Sequence, residues 1–185
     1  MTIRPILPSL LTLIQHIQTL NLTPYEYTPK ECPYCHSKKL WNHGCYTRKP
    51  DKTNEGPDNS NLNPVPIPRY LCPQKDCGRT CSTLPECLPP RRWYQWSVQE
   101  QVLRYYLEGR STLDIEKLVK PSIMTICRWI NRFIEQFEIY FFCLKTNDES
   151  LGYTKIIYEF WEKCFSKKPL SHWMLILNFQ EVNIP

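Results

Sequence analysis

The sequence predicts an α+β protein, a small β ribbon followed by a mainly helical half, on three observations. Two cysteine pairs, Cys32/Cys35 and Cys72/Cys77, bracket two short runs of strand-forming residues. Seventeen prolines stand against five glycines, and they cluster between Pro50 and Pro90. That argues against a long helix or a regular sheet there, because each proline removes a backbone donor. From residue 97 onward, apolar residues recur at helical spacing with breaks at Gly109 and Pro121.

With 185 residues, 42% hydrophobic and 22% charged, the chain is long and apolar enough to fold as one ordinary domain or two to three small ones. It divides into residues 1–29, 30–92, 93–144 and 145–185. In the first, Ile6, Leu10, Leu13, Ile14 and Ile17 predict an amphipathic helix over 6–20 that starts near Pro8 and Ser9; an extended lead, Thr23–Pro29, follows. In the second, Leu40–Tyr46 and Val65–Leu71 are the predicted strands, and the Asn-, Asp- and Pro-rich stretch 51–63 is the mobile loop between them.

In the third, Ser97 is placed as the cap of a helix through Leu107, ended by Gly109. A short helix from about Thr112 to Val119 stops at Lys120-Pro121, and Ser122 caps a third helix reaching about Phe137. Residues 139–152 read as a hydrophobic exit and a polar turn, 153–165 as a helix, and His172–Phe179 as a strand.

The longest apolar runs, Ile139–Leu144 and Trp173–Leu177, are far too short to span a bilayer. Gln15, His16 and Gln18 stand where a signal peptide would carry its small-residue cleavage site, so a cytoplasmic protein is expected. Ten cysteines in such a chain point to metal binding rather than disulfides. The knuckles Cys32-Pro33-Tyr34-Cys35 and Cys72-Pro73-Gln74-Lys75-Asp76-Cys77-Gly78 each let a tight turn aim two thiolates at one ion. Four thiolates close a tetrahedral site, so one structural Zn²⁺ held by Cys32, Cys35, Cys72 and Cys77 is expected. Its role is to fold a segment with little core of its own. Cys81 is the rival ligand, His36 and His43 are substitutes, and Cys81 and Cys87 are favoured as packing residues. Cys127, Cys143 and Cys164 are read as core.

The net charge is +5, and residues 30–92 carry all of it, with 11 Lys/Arg against 6 Asp/Glu. Such a basic segment suits a polyanion. Lys38, Lys39, Arg48, Lys49, Arg69, Arg79, Arg91 and Arg92 are the candidate phosphate contacts. On the third helix, Ile123, Ile126, Ile130, Phe133 and Phe137 face inward, while Ser122, Thr125, Arg128, Asn131 and Arg132 stand at its start or on its outer side. A short helix, a tight turn and a longer helix with cations early on its outer face form a helix-turn-helix pattern, whose second helix enters the major groove of duplex DNA. A plain three-helix bundle with a solvated face stays open beside it, since charge is balanced over 93–144. Trp129 is read as a core anchor.

These residues carry a resemblance. Cys32-Pro33-Tyr34-Cys35, Leu40-Trp41 with His43-Gly44, and Ile67-Pro68-Arg69-Tyr70-Leu71-Cys72 resemble the zinc ribbon associated with bacterial insertion-sequence transposases. Cys77-Gly78-Arg79-Thr80-Cys81-Ser82, Leu84-Pro85 and Arg91-Arg92-Trp93-Tyr94 extend the match. Gly109-Arg110-Ser111, followed by Ser122, Thr125, Arg128 and Trp129, is similar to the helix-turn-helix segments of those enzymes. The resemblance covers residues 30–138. Such ribbons often carry Phe where this chain has Cys81, which implies that Cys81 packs.

The resemblance implies binding to terminal-repeat DNA. Transposases of that kind continue into a domain whose three carboxylates hold two Mg²⁺ ions. After residue 138 this chain has only Asp148, Glu149, Glu159, Glu162 and Glu181, none read as catalytic. The expectation is therefore a non-enzymatic, zinc-dependent protein that binds double-stranded DNA, a transposase relative or remnant, with a homodimer as an option. A protein-interaction module and a DNA-processing enzyme with an unrecognised site remain the alternatives.

Overall fold

A computed structural model describes residues 6–7, 12–50, 62–90, 93–180 and 182. The chain forms two compact units, Met1–Gln95 and Trp96–Pro185. Among the described residues there are seven α-helices and a small antiparallel three-stranded sheet, an α+β composition.

In the first unit, β1 (Ile6–Leu7) pairs in parallel with β5 (Leu84–Pro85). The first helix, α1, is Leu13–Leu22, not 6–20, and Ile6–Leu7 is strand; the expected start at Pro8 and Ser9 lies outside the described residues. Thr12 sets the start: its hydroxyl accepts from the Gln15 amide, and the Gln15 side chain accepts from the Thr12 amide. This reciprocal cap satisfies two donors that the first turn leaves free. Ile14, expected inside, is 59% exposed, while Leu13 and His16 are buried. The lead 23–29 is not extended throughout, because Pro24–Tyr27 closes a 3₁₀ turn that buries Tyr27.

The sheet runs in the order β2 (Trp41–Arg48), β3 (Val65–Leu71), β4 (Thr80–Cys81). Its central strand is the expected Val65–Leu71, which forms inside the proline-rich stretch and contains Pro66 and Pro68. Pairing explains the tolerance. β4 reaches only Tyr70 and Leu71, so the proline half of β3 has an open edge, where missing donors cost nothing. The outer carbonyl of Pro66 accepts from His16 Nε2 at 2.8 Å. Two small clusters cover the sheet. Leu13, Val65, Ile67, Leu84, Cys87 and Leu88 form one, and Tyr27, Tyr70 and Cys81 the other. The expected loop lies, over 51–61, outside the described residues.

In the second unit, α2 (Trp96–Leu107) starts one residue before the expected Ser97 cap, which is exposed in the first turn. It ends at Gly109, φ +83°, with Gly109 N–H donating to the Tyr106 carbonyl and Arg110 N–H to that of Tyr105. That paired closure requires the left-handed conformation glycine adopts without strain. Ser111 caps α3 (Thr112–Leu118). After residues 119–122, α4 (Ile123–Glu135) begins at Ser122, whose hydroxyl lies 3.4 Å from that of Thr125 rather than on a backbone amide.

Residues expected to be a loose hydrophobic exit form α5 (Phe137–Asn147), which buries Phe137, Tyr140, Phe141 and Leu144 at helical spacing. α6 is Ile157–Lys167, and α7 (Leu170–Phe179) occupies the predicted strand. α7 buries residues on nearly every side, and a short apolar run of that kind has no periodicity to separate helix from strand. Its first amide, on Leu170, is capped by Glu100 of α2 at 2.7 Å. An aromatic cluster fills this core, with Phe133 and Trp161 at 4.4 Å between ring centres and Phe141 and Phe160 at 5.2 Å. Trp129 and Cys164 are buried as expected, whereas Cys127 and Cys143 are only half-buried. No helix of the described residues is long and apolar enough to cross a membrane.

Candidate metal centre and basic faces

The two cysteine pairs lie 37 residues or more apart in sequence across the ribbon, yet converge. The Sγ atoms of Cys32, Cys35, Cys72 and Cys77 all lie within 4.8 Å of one another. Cys32 and Cys77 are 3.8 Å apart, Cys35 and Cys72 3.6 Å. A tetrahedral ion with Zn–S bonds of about 2.3 Å sets neighbouring sulfurs about 3.8 Å apart. The four donors therefore fit one zinc ion, and they saturate it.

Both knuckles are built alike. His36 N–H donates to the Cys32 carbonyl and Gly78 N–H to the Gln74 carbonyl, each at 2.9 Å. The residue after the second cysteine is left-handed in both, φ +58° at His36 and φ +55° at Gly78. The chain then returns to pair with the first cysteine, Cys32 N–H donating to the Ser37 carbonyl and Cys72 N–H to that of Arg79. His36 fills at the first knuckle the left-handed position that Gly78 fills at the second, and histidine is among the few residues besides glycine that occur there. It is not a ligand, and its imidazole pairs with Glu31 at 2.8 Å.

Burial opposes ionisation of Cys32, but the amides of Tyr34 and Cys35 and the neighbouring thiols outweigh it and bring the group down to about 7. The Ser37 amide favours the Cys35 thiolate, yet burial and the three other thiols push it up to about 12. Four sulfur donors this close together suit a cation among them, whose charge offsets the repulsion between neighbouring thiolates. Cys81 stands apart. It is 7% exposed in the Tyr27–Tyr70 cluster, and burial first, then the charges of Cys32 and Cys77, raise its thiol to about 11. Cys87 is likewise buried, while Cys45 and His43 are exposed outside the thiol group.

The expected phosphate contacts differ in what they offer. Lys38, Lys39, Lys49 and Arg79 are exposed. Arg69 is half-buried with its guanidinium 5.4 Å over Tyr46, and Arg79 sits 5.0 Å over Tyr34. Arg48 is half-buried and donates to the Pro89 carbonyl, so it ties the end of β2 to the 81–90 segment. Arg91 and Arg92 lie outside the described residues.

In the second unit, Ser122, Arg128 and Asn131 are exposed and Thr125 and Arg132 half-buried, all away from the buried Ile126–Trp129–Phe133 side of α4. Arg128 reaches Thr125 Oγ1 at 3.5 Å. Two features were not foreseen. Glu116 of α3 accepts from the Ile123 amide at 2.7 Å, so this helix start already holds an anionic group from within the chain. Met124, 74% exposed, lies at the centre of the outer side, and the helical period marks it once the buried positions are known.

No curated protein and no solved structure matches the chain. A family described as a domain of unknown function, DUF6431, matches residues 32–129. Those limits run from Cys32 to the core tryptophan of α4, Trp129, taking in both cysteine pairs, α2, α3 and the first half of α4. On that match over more than half its length, the chain belongs to the DUF6431 family.

Proposed function

We propose that this is a non-catalytic DNA-binding protein built from a zinc ribbon and a helix-turn-helix, related to the DNA-binding end of insertion-sequence transposases or left over from one. The observation that carries the reading is α4. It follows the short α3 after a turn at residues 119–122, and sets Ser122, Thr125, Arg128 and Asn131 on its outer side. Arginine can read guanine bidentately there, and the exposed Met124 suits a thymine methyl. The basic ribbon supplies sequence-independent phosphate contacts through Lys38, Lys39, Lys49 and Arg79. Four thiolates fill a zinc ion's coordination shell, so the metal is assigned to scaffolding. The proposed place of action is the bacterial cytoplasm, on the nucleoid.

The test is duplex binding across a salt series, with a preferred site selected from random DNA. Arg128→Ala weakens binding to that site by ~1–3 kcal/mol and relaxes preference at one base pair. Equal losses on preferred and random duplex reduce Arg128 to a phosphate contact. Duplex affinity that is absent, or indifferent to salt, contradicts the reading, because phosphate contacts release counterions.

A second reading, a protein-docking module, has its own support. Phe142 is 56% and Tyr153 82% exposed in the second unit, with Lys155 and Lys145 over their rings. Under that reading duplex DNA is not bound.

A further inference from the structure

Strand register divides the β2-β3-β4 sheet into two unlike faces. Directly paired residues share a face, and side chains alternate along each strand. Trp41 pairs with Leu71 and Leu71 with Thr80, while Tyr46 pairs with Ile67. Trp41, Leu71, Thr80, Arg69 and Tyr46 therefore stand on one face. At the far end, Val65 and Ile67 of that face are covered by the Leu13–Leu84 cluster. At the metal end the face is open: Trp41 is 51% exposed, Thr80 exposed, and Leu71 and Arg69 half-exposed.

Two cations belong to this face. Lys39 lies over one side of the Trp41 ring, 5.8 Å from its centre, and Arg69, at the next position of the face beyond Leu71, holds its guanidinium 5.4 Å over Tyr46. Trp41 is left half in water on a folded sheet, with the Lys39 ammonium over its ring. The first knuckle precedes β2, and β3 runs directly into Cys72, so the metal centre holds both strands that carry the ring and the cations.

We propose that this face is a stacking platform for an unpaired DNA strand. Trp41 receives the face of a base, and Lys39 and Arg69 meet the phosphates on either side. A paired base offers a protein only its edges, whereas an unpaired one offers the π-surface an indole requires. The net charge of +5 carried by residues 30–92 suits a polyanion rather than an apolar peptide. The platform belongs to the first unit and the outer side of α4 to the second, and the proposal stands whether or not duplex DNA binds α4.

The zinc-loaded full chain tests this with labelled strands of about 12 nucleotides. One is thymidine DNA, one an abasic DNA backbone of equal charge, and one uridine RNA. The thymidine strand binds about tenfold tighter than the abasic one. Trp41→Leu removes most of that ratio, and Trp41→Phe keeps it. A Lys39→Ala/Arg69→Ala pair weakens thymidine and abasic strands alike and flattens the salt dependence. Arg128→Ala leaves the thymidine-to-abasic ratio unchanged, so failure here and failure of duplex binding are told apart. Equal affinity of the wild-type protein for thymidine and abasic strands overturns the proposal before any variant is made. So does a Trp41→Leu protein that discriminates like wild type, or tighter binding of uridine RNA than of thymidine DNA.

Discussion

His16 joins α1 to the ribbon. Its Nε2 donates to the Pro66 carbonyl at 2.8 Å, which leaves Nδ1 to accept from the Tyr27 hydroxyl, and the whole side chain is buried. Burial lowers its pKa below the ordinary 6.5, against the Pro66 carbonyl, which raises it. The neutral ring is therefore the folded form. Its contribution is full above pH 6.5 and is lost as pH falls below that value, because the unfolded chain takes up the proton more readily. Between about pH 7 and pH 5 the melting temperature of the wild-type protein falls more steeply than that of His16→Gln, as followed by circular dichroism. Parallel curves would contradict this role. None of this was legible in sequence, since the partner carbonyl is 50 residues away. The four thiol ligands were legible because each pair is local, and Cys-Pro openings with short gaps allow few other geometries.

At the scale of elements, the two knuckles fill their shared left-handed position differently, with His36 in the first and Gly78 in the second. Gly78 is left-handed without strain; a Cβ there would meet nothing within 4 Å, so its cost would come from backbone conformation alone. Gly78→Ala destabilises the zinc-loaded protein by about 1–2 kcal/mol. His36→Gly relieves strain at the matching position of the first knuckle and leaves stability unchanged or slightly higher, although the Glu31 pair is lost. Denaturant unfolding compares the two, and a loss in His36→Gly as large as in Gly78→Ala would show that the knuckles are not equivalent. The strands β2 and β3 were readable as short runs flanking the polar insertion, and helices α2 to α4 from apolar spacing, Ser122 and the Gly109 and Pro121 breaks. Thr12-x-x-Gln15 was a visible capping box passed over for Pro8 and Ser9. α7 was misread because it is apolar all round and takes its cap from Glu100, 70 residues earlier.

The two units reach stability by different routes. The second has an aromatic core of its own, with Trp161 ringed by Phe133, Tyr140, Phe160 and Phe165. The first has two small clusters and four thiols, the arrangement expected of a segment too small for a sufficient core. Chelation should therefore unfold the ribbon while the helical signal of the second unit largely persists. The α+β division and the metal-stapled half were predictable because composition changes sharply along the chain. The extent of the second unit was not, because α5 and α7 are recognisable only once their buried neighbours are known.

The four-thiol cluster sits at the root of β2 and β3, and the zinc proposed for it is the account's central claim, so metal content is the most direct measurement. Zinc per chain should be determined on purified wild-type protein, Cys77→Ser and Cys81→Ser. The expected result is one zinc per wild-type chain, lost in Cys77→Ser and retained in Cys81→Ser. A wild-type chain that binds no zinc, or a Cys81→Ser chain that loses it, would contradict the four-thiolate centre.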